Sequence, residues 1–164
     1  METKNFKLIF TLLLAITTFS LQAEEPGFTG EWKLNKEKTV LQGSQIFLSK
    51  LTIKVTGDSL LTTRTYETAD GQEYPFVENL SLNGKEGKIV IYDMPRTTKA
   101  TRSASDGTLV LDSNTTFSRD GQETVMNSKE TWKVEPGAKL LTIVFTTKMA
   151  EREFPGTLYF DRVK

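Results

Sequence analysis

The chain has no histidine and no cysteine in its 164 residues. Those absences exclude Ser-His-Asp and Cys-His nucleophile systems, zinc sites of the usual kind and haem ligation through either residue. They also exclude disulfides, so stability must come from the core and the backbone ladder alone. Excess charge of either sign is missing too: 21 basic and 21 acidic residues cancel, the isoelectric point is about 6.4, and neither half carries a basic tract. Such a balance offers no electrostatic footprint for nucleic acid or for an anionic membrane surface. No segment shows a sustained helical period, no low-complexity linker divides the chain, and the glycines read as single turn residues rather than as a phosphate loop. What remains for catalysis is a carboxylate pair, or a Tyr or Lys acid/base, and the spacing selects neither. The sequence therefore reads as non-enzymatic and without a cofactor.

What is present is a cadence. Runs of Thr, Val, Ile, Leu and Phe are cut by Gly57-Asp58, Asp70-Gly71, Asn83-Gly84, Asp106-Gly107, Asp120-Gly121 and Pro136-Gly137. Gly, Asn and Asp tolerate the positive φ of tight hairpin turns, while β-branched residues suit a pleated surface. The cuts predict about ten strands. They are Thr29 to Leu34, Phe47 to Thr56, Leu60 to Thr68, Phe76 to Leu82, Lys88 to Tyr92, Thr97 to Ala104, Thr108 to Ser118, Gln122 to Val134, Leu140 to Met149 and Gly156 to Val163. Asn35 to Gln42 reads as a charged connection with room for one helical turn, and Met94-Pro95 as an interruption. Pro75 and Pro95 are expected at strand edges. Sequential hairpins disfavour a parallel sheet, and a meander this long loses its two exposed edges by closing on itself. The expected fold is all-β, an antiparallel up-and-down meander closed into a barrel, with a two-sheet sandwich as the competitor.

Residues 1–23 read as a signal peptide: Lys4 and Lys7 precede an apolar stretch from Leu8 to Phe19, and Leu21-Gln22-Ala23 resembles a cleavage site. The stretch is short of the roughly twenty residues that span a bilayer. Cleavage after Ala23 removes two positive side chains and one negative, taking the formal charge from 0 to −1. Residues 24–164 are then a single exported domain, periplasmic or secreted. With no cysteine to modify, no lipid anchor is expected, and no membrane span is expected after cleavage. Asp-Gly-Gln-Glu occurs at Asp70 to Glu73 and again at Asp120 to Glu123. Neither copy supplies the alternating oxygen ligands and closing Glu of a calcium loop, so both read as hairpin turns.

Gly30-Glu31-Trp32, followed by Lys33-Leu34-Asn35 and Lys38, resembles the Gly-x-Trp start of lipocalin-like and fatty-acid-binding-protein-like (calycin) barrels. Tyr159-Phe160-Asp161-Arg162 resembles their closing strand. Thr131 to Val134 and Leu140 to Ile143 are similar to segments of bacterial secreted lipocalin-like domains. The resemblance implies that Arg162 covers Trp32 at a closed barrel end, a cation–π contact that seals the base. The second lipocalin motif, its disulfides and the Arg-x-Tyr carboxylate clamp of intracellular fatty-acid carriers have no counterpart here. No ligand residue carries over from the family.

A barrel of this size can hold a small ligand among its inward-facing residues. Leu60, Thr62, Arg64 and Tyr66 share one face of the third strand, and Arg102 shares parity with Thr98, Ala100 and Ala104. If those faces are interior, Arg64 or Arg102 is a buried cation needing an anionic partner, such as a ligand carboxylate or phosphate. The alternative is that each is an exposed cross-strand partner of Asp or Glu. Phe117, Met126, Trp132 and Phe145 are candidate apolar walls, or plain core. The expectation is a carrier that buries a small hydrophobic or amphipathic ligand. The competing expectation is a packed barrel that binds an envelope protein or a glycan through its loops or outer face. Oligomeric state is left open.

Overall fold

The computed structural model describes residues 27–39 and 46–163. Residues 1–23 and part of the connection read at Asn35 to Gln42 lie outside the described residues. Ten strands form one antiparallel sheet: β1 (Gly30–Leu34), β2 (Ile46–Thr56), β3 (Ser59–Thr68), β4 (Glu73–Ser81), β5 (Asn83–Ile91), β6 (Met94–Arg102), β7 (Leu109–Arg119), β8 (Gln122–Val134), β9 (Leu140–Met149) and β10 (Arg152–Arg162). Their spatial order is β4-β3-β2-β1-β10-β9-β8-β7-β6-β5. First and last strands pair, with Trp32 opposite Arg162 and Leu34 opposite Phe160, so the sheet curls into a nearly closed up-and-down barrel. The expected architecture is the one observed.

Closure fails at one seam. β4 and β5 are joined by Leu82 alone yet share no backbone ladder. Side chains bridge the seam instead. The Tyr92 hydroxyl donates to the Pro75 carbonyl at 2.7 Å, Tyr74 and Tyr92 meet edge to face, and Glu78 of β4 accepts from Arg96 and Thr98 of β6. Gly87 of β5 lies close against β4 there: a Cβ in its place would stand 2.8 Å from a Leu80 methyl, which would have to move.

The hairpin signals are right at Gly57-Asp58 and Asp120-Gly121, where two residues turn the chain. Three expectations about turns need correction. Met94-Pro95 is no interruption: the turn is Tyr92-Asp93, both at positive φ (48° and 65°), and Pro95 lies within β6. Neither residue is a glycine, so the usual signal was missing. Asn83-Gly84 lies inside β5 rather than at its turn. β10 starts at Arg152 after a turn at Ala150-Glu151, so Pro155 and Gly156 are strand residues.

The period-two pattern decides which faces are buried. Inward residues Leu51, Ile53, Leu60, Leu109, Leu111, Trp132, Leu141, Ile143 and Phe160 form the core. Outward positions carry exposed charges such as Glu31, Lys33, Lys50, Lys54, Lys99, Lys129 and Lys133. Exposed apolar residues, among them Val77, Val90 and Val144, lie between them.

Candidate functional site

Alternate connections gather at the two ends of the barrel. At one end are the turns β2–β3 and β8–β9, with Phe28, Trp32 and Arg162. The Arg162 guanidinium stands 4.6 Å from the Trp32 ring and donates to three backbone carbonyls: Ala138 at 2.6 Å, Thr29 at 2.9 Å, and Gly27. The Trp32 indole donates to the Phe28 carbonyl at 2.8 Å. A planar five-donor cation can satisfy several carbonyls at once, and here it ties the incoming chain and the β8–β9 turn to the closing strand. Packing above this clamp is complete, and Trp32, Trp132, Leu109 and Leu141 are at most 1% exposed.

The other end is hollow. A cavity of about 870 Å³ opens there, within the range of small-molecule sites. Four of the residues singled out in the sequence line it: Tyr66, Phe117, Met126 and Phe145. Phe47, Tyr74, Phe76, Tyr92 and Phe154 complete an aromatic wall; none was singled out, and Tyr74 and Phe154 lay outside the strands read at Phe76 to Leu82 and Gly156 to Val163. Tyr66 stacks on Phe76 with ring centres 6.0 Å apart. Phe145 lies across its register partner Gly156, where a Cβ would come within 2.4 Å of the ring. The missing side chain at Gly156 therefore leaves the space that the Phe145 ring occupies.

Between cavity and core runs a layer of buried charge. Arg64 reaches from β3 across the barrel to β8, where its two terminal nitrogens each donate to a Glu130 carboxylate oxygen at 2.9 Å. Glu130 also accepts from the Trp132 indole at 2.7 Å, and the Arg64 guanidinium lies 5.1 Å from the Trp132 ring. Arg64 Nε faces Glu78 at 3.6 Å. Arg96 Nε donates to Glu78 at 2.9 Å and its Nη1 to Thr115 at 3.1 Å, while the Thr98 hydroxyl donates to Glu78 at 2.7 Å. Arg96, Glu130 and Thr115 line the cavity floor, whereas Arg64 and Glu78 lie beneath it.

Burial by itself pushes the Glu130 carboxyl up, but the Arg64 charge and the hydrogen bonds from Arg64 and Trp132 hold it below the ordinary carboxylate range. Burial likewise pulls the Arg64 guanidinium down, and Glu130 more than reverses this. Both groups are ionised at neutral pH. Two cations and two anions cancel, which lets four charges persist inside a protein.

The remaining two sequence candidates fall elsewhere. Trp132 lies under the floor, against Arg64, rather than on the cavity wall. Arg102 is half-buried where β6 reaches the closed end, away from the cavity. Glu78, Arg96 and Glu130 went unnoticed in the sequence, although each sits on the apolar parity of its strand: Glu78 between Phe76 and Leu80, Arg96 before Thr98 and Ala100, Glu130 before Trp132. A charge in phase with inward residues was the available signal. Among the described residues no three acidic side chains converge to hold a metal ion. Compared with models of protein families and with curated proteins, the chain matches none.

Proposed function

We propose that this protein is an exported, non-catalytic, lipocalin-like binding protein that holds a small hydrophobic or amphipathic molecule in the open half of its barrel. The observation that carries this reading is the aromatic-walled cavity of about 870 Å³, open at one end over a polar floor. Removing apolar ligand surface from water contributes about 25 cal/mol per Å², against which stands the entropy lost on association. Flat aromatic walls supply that surface at little conformational cost, while the floor fixes which end of the ligand points inward. A purely structural or interaction barrel would be filled by its own side chains at both ends. The Gly-x-Trp start, the Arg162 cover on Trp32 and the ten-strand meander support the calycin likeness, and Met1 to Ala23 supports export. Against catalysis stands the pairing of the four inward charges, Glu130 with Arg64 and Glu78 with Arg96.

Native mass spectrometry of the protein purified from its own host tests this directly. The expected spectrum shows a chain beginning at Glu24 with one small molecule bound. An apo mass together with no uptake of the neutral dye Nile red overturns the binding reading, and an uncleaved chain overturns export.

A further inference from the structure

The floor of the cavity narrows what the ligand can be. Arg64 and Arg96 invite an anionic head group when read one at a time, but the structure answers each with an internal carboxylate. Both terminal nitrogens of Arg64 are committed to Glu130, and Arg64 itself lies beneath the floor at 1% exposure. Arg96 commits Nε to Glu78 and Nη1 to Thr115, which leaves Nη2 as its remaining nitrogen. Glu130 presents a carboxylate to the same floor. An incoming anion would have to sit beside Glu130 with no uncompensated cation to receive it, in a site where water screens poorly. An incoming cation meets Arg96 on the same terms. An uncharged oxygen fits: it can accept from the guanidinium of Arg96. The hydroxyls of Ser128 and Thr147, 3.2 Å apart on the same wall, add donors and acceptors for a neutral head group.

Resting on the carrier reading above, we propose that the cavity selects electrically neutral ligands, an alcohol, ester or ketone head on an apolar body, and discriminates against carboxylates of the same length. The selectivity comes from the self-neutralised Arg64–Glu130 and Arg96–Glu78 pairs. It is therefore a property that one substitution can reverse. Replacing Glu130 with Gln keeps an oxygen acceptor for Arg64 while leaving the layer one positive charge in excess, and a ligand carboxylate can then supply the missing anion.

The test is displacement of Nile red from the mature protein by dodecanol and by dodecanoate at pH 8, in wild type and in Glu130→Gln. Wild type is expected to bind dodecanol more tightly. In the variant the ratio of the two affinities is expected to shift towards dodecanoate by about tenfold, or ~1.4 kcal/mol. Because the same two competitors are compared in both proteins, their differing solubilities cancel. If Glu130→Gln does not fold, Glu78→Gln makes the same change of charge from the β4 side. An unchanged ratio in a folded variant, or wild type preferring dodecanoate, overturns neutral selectivity while the carrier reading stands. Failure of Nile red and both competitors to bind wild type overturns both.

Discussion

The two ends of this barrel are made from the same strands, yet one is solid and the other hollow. Towards the closed end, inward positions carry Leu60, Leu80, Leu109, Leu111, Trp132, Leu141 and Trp32, which fill the lumen. Four or six residues away along β3, β4, β7, β8 and β9, inward positions carry Tyr66, Phe76, Phe117, Met126 and Phe145, which line a space without filling it. In the solid half the inward side chains interdigitate at the density of a protein core, whereas in the other half they stop short of the middle. The charged layer divides the two regimes. The cavity thus follows from where along β3, β4, β7 and β9 the aliphatic positions give way to aromatic ones.

The sharpest way to break this division is to unbalance the layer itself. Arg64→Met leaves Glu130 buried without its cation, and the expected loss is roughly 3–5 kcal/mol of unfolding free energy by urea titration. Recovery of most of that loss in the double variant Arg64→Met/Glu130→Met would show that the stranded charge, rather than lost packing, was responsible. Next in size is a contrast between the halves. Leu141→Ala, in the solid half, is expected to cost about 2–4 kcal/mol with Nile red affinity unchanged. Phe117→Ala, in the hollow half, is expected to cost under about 1 kcal/mol, since part of its surface is already wet, and to change dye affinity instead. Equal stability losses from the two would erase the distinction.

A smaller effect is expected in the pH dependence. Glu130 is depressed by Arg64 in the folded state and ordinary when unfolded, so its contribution is present above its unfolded value of about 4.3 and is lost as pH falls through the lower folded value. Thermal melts should show Glu130→Gln less stable than wild type at pH 7 and the gap closing on acidification below pH ~4. A constant gap would mean the carboxylate is not held down by its partner. The smallest stability change is expected for Gly156→Ala. Its Cβ would collide with the Phe145 ring and turn the ring into the cavity. Melting should barely move while dye capacity falls, and full capacity would place Phe145 outside the ligand's path.

Much of this was legible in the chain, and the exceptions have identifiable causes. Leu60, Thr62, Arg64 and Tyr66 shared a face by simple alternation, and that face is interior. Asp120-Gly121 marked its hairpin because glycine accepts positive φ, whereas Tyr92-Asp93 turns without one and was read two residues late. Arg64 was recognised as a cation that would need an anion if buried. The anion is Glu130, 66 residues away in sequence on the opposite wall. No local pattern joins the two, because side chains that meet across a barrel belong to strands that are not neighbours in its sheet.

By itself the sequence determined the number and order of the strands, the glycine-marked turns such as Gly57-Asp58 and Asp120-Gly121, the alternation that sorts core from surface, and the absence of nucleophile and metal chemistry that depends on His or Cys. These are local properties, set by backbone dihedrals and by the period of two. Tertiary structure alone decided that β4 and β5 stay unladdered, that Arg64 meets Glu130 across the lumen while Arg96 meets Glu78 across the seam, and that aromatic positions of six strands converge on one open end. Those features depend on curvature and on distances across the closed sheet, which arise only when the first strand meets the last.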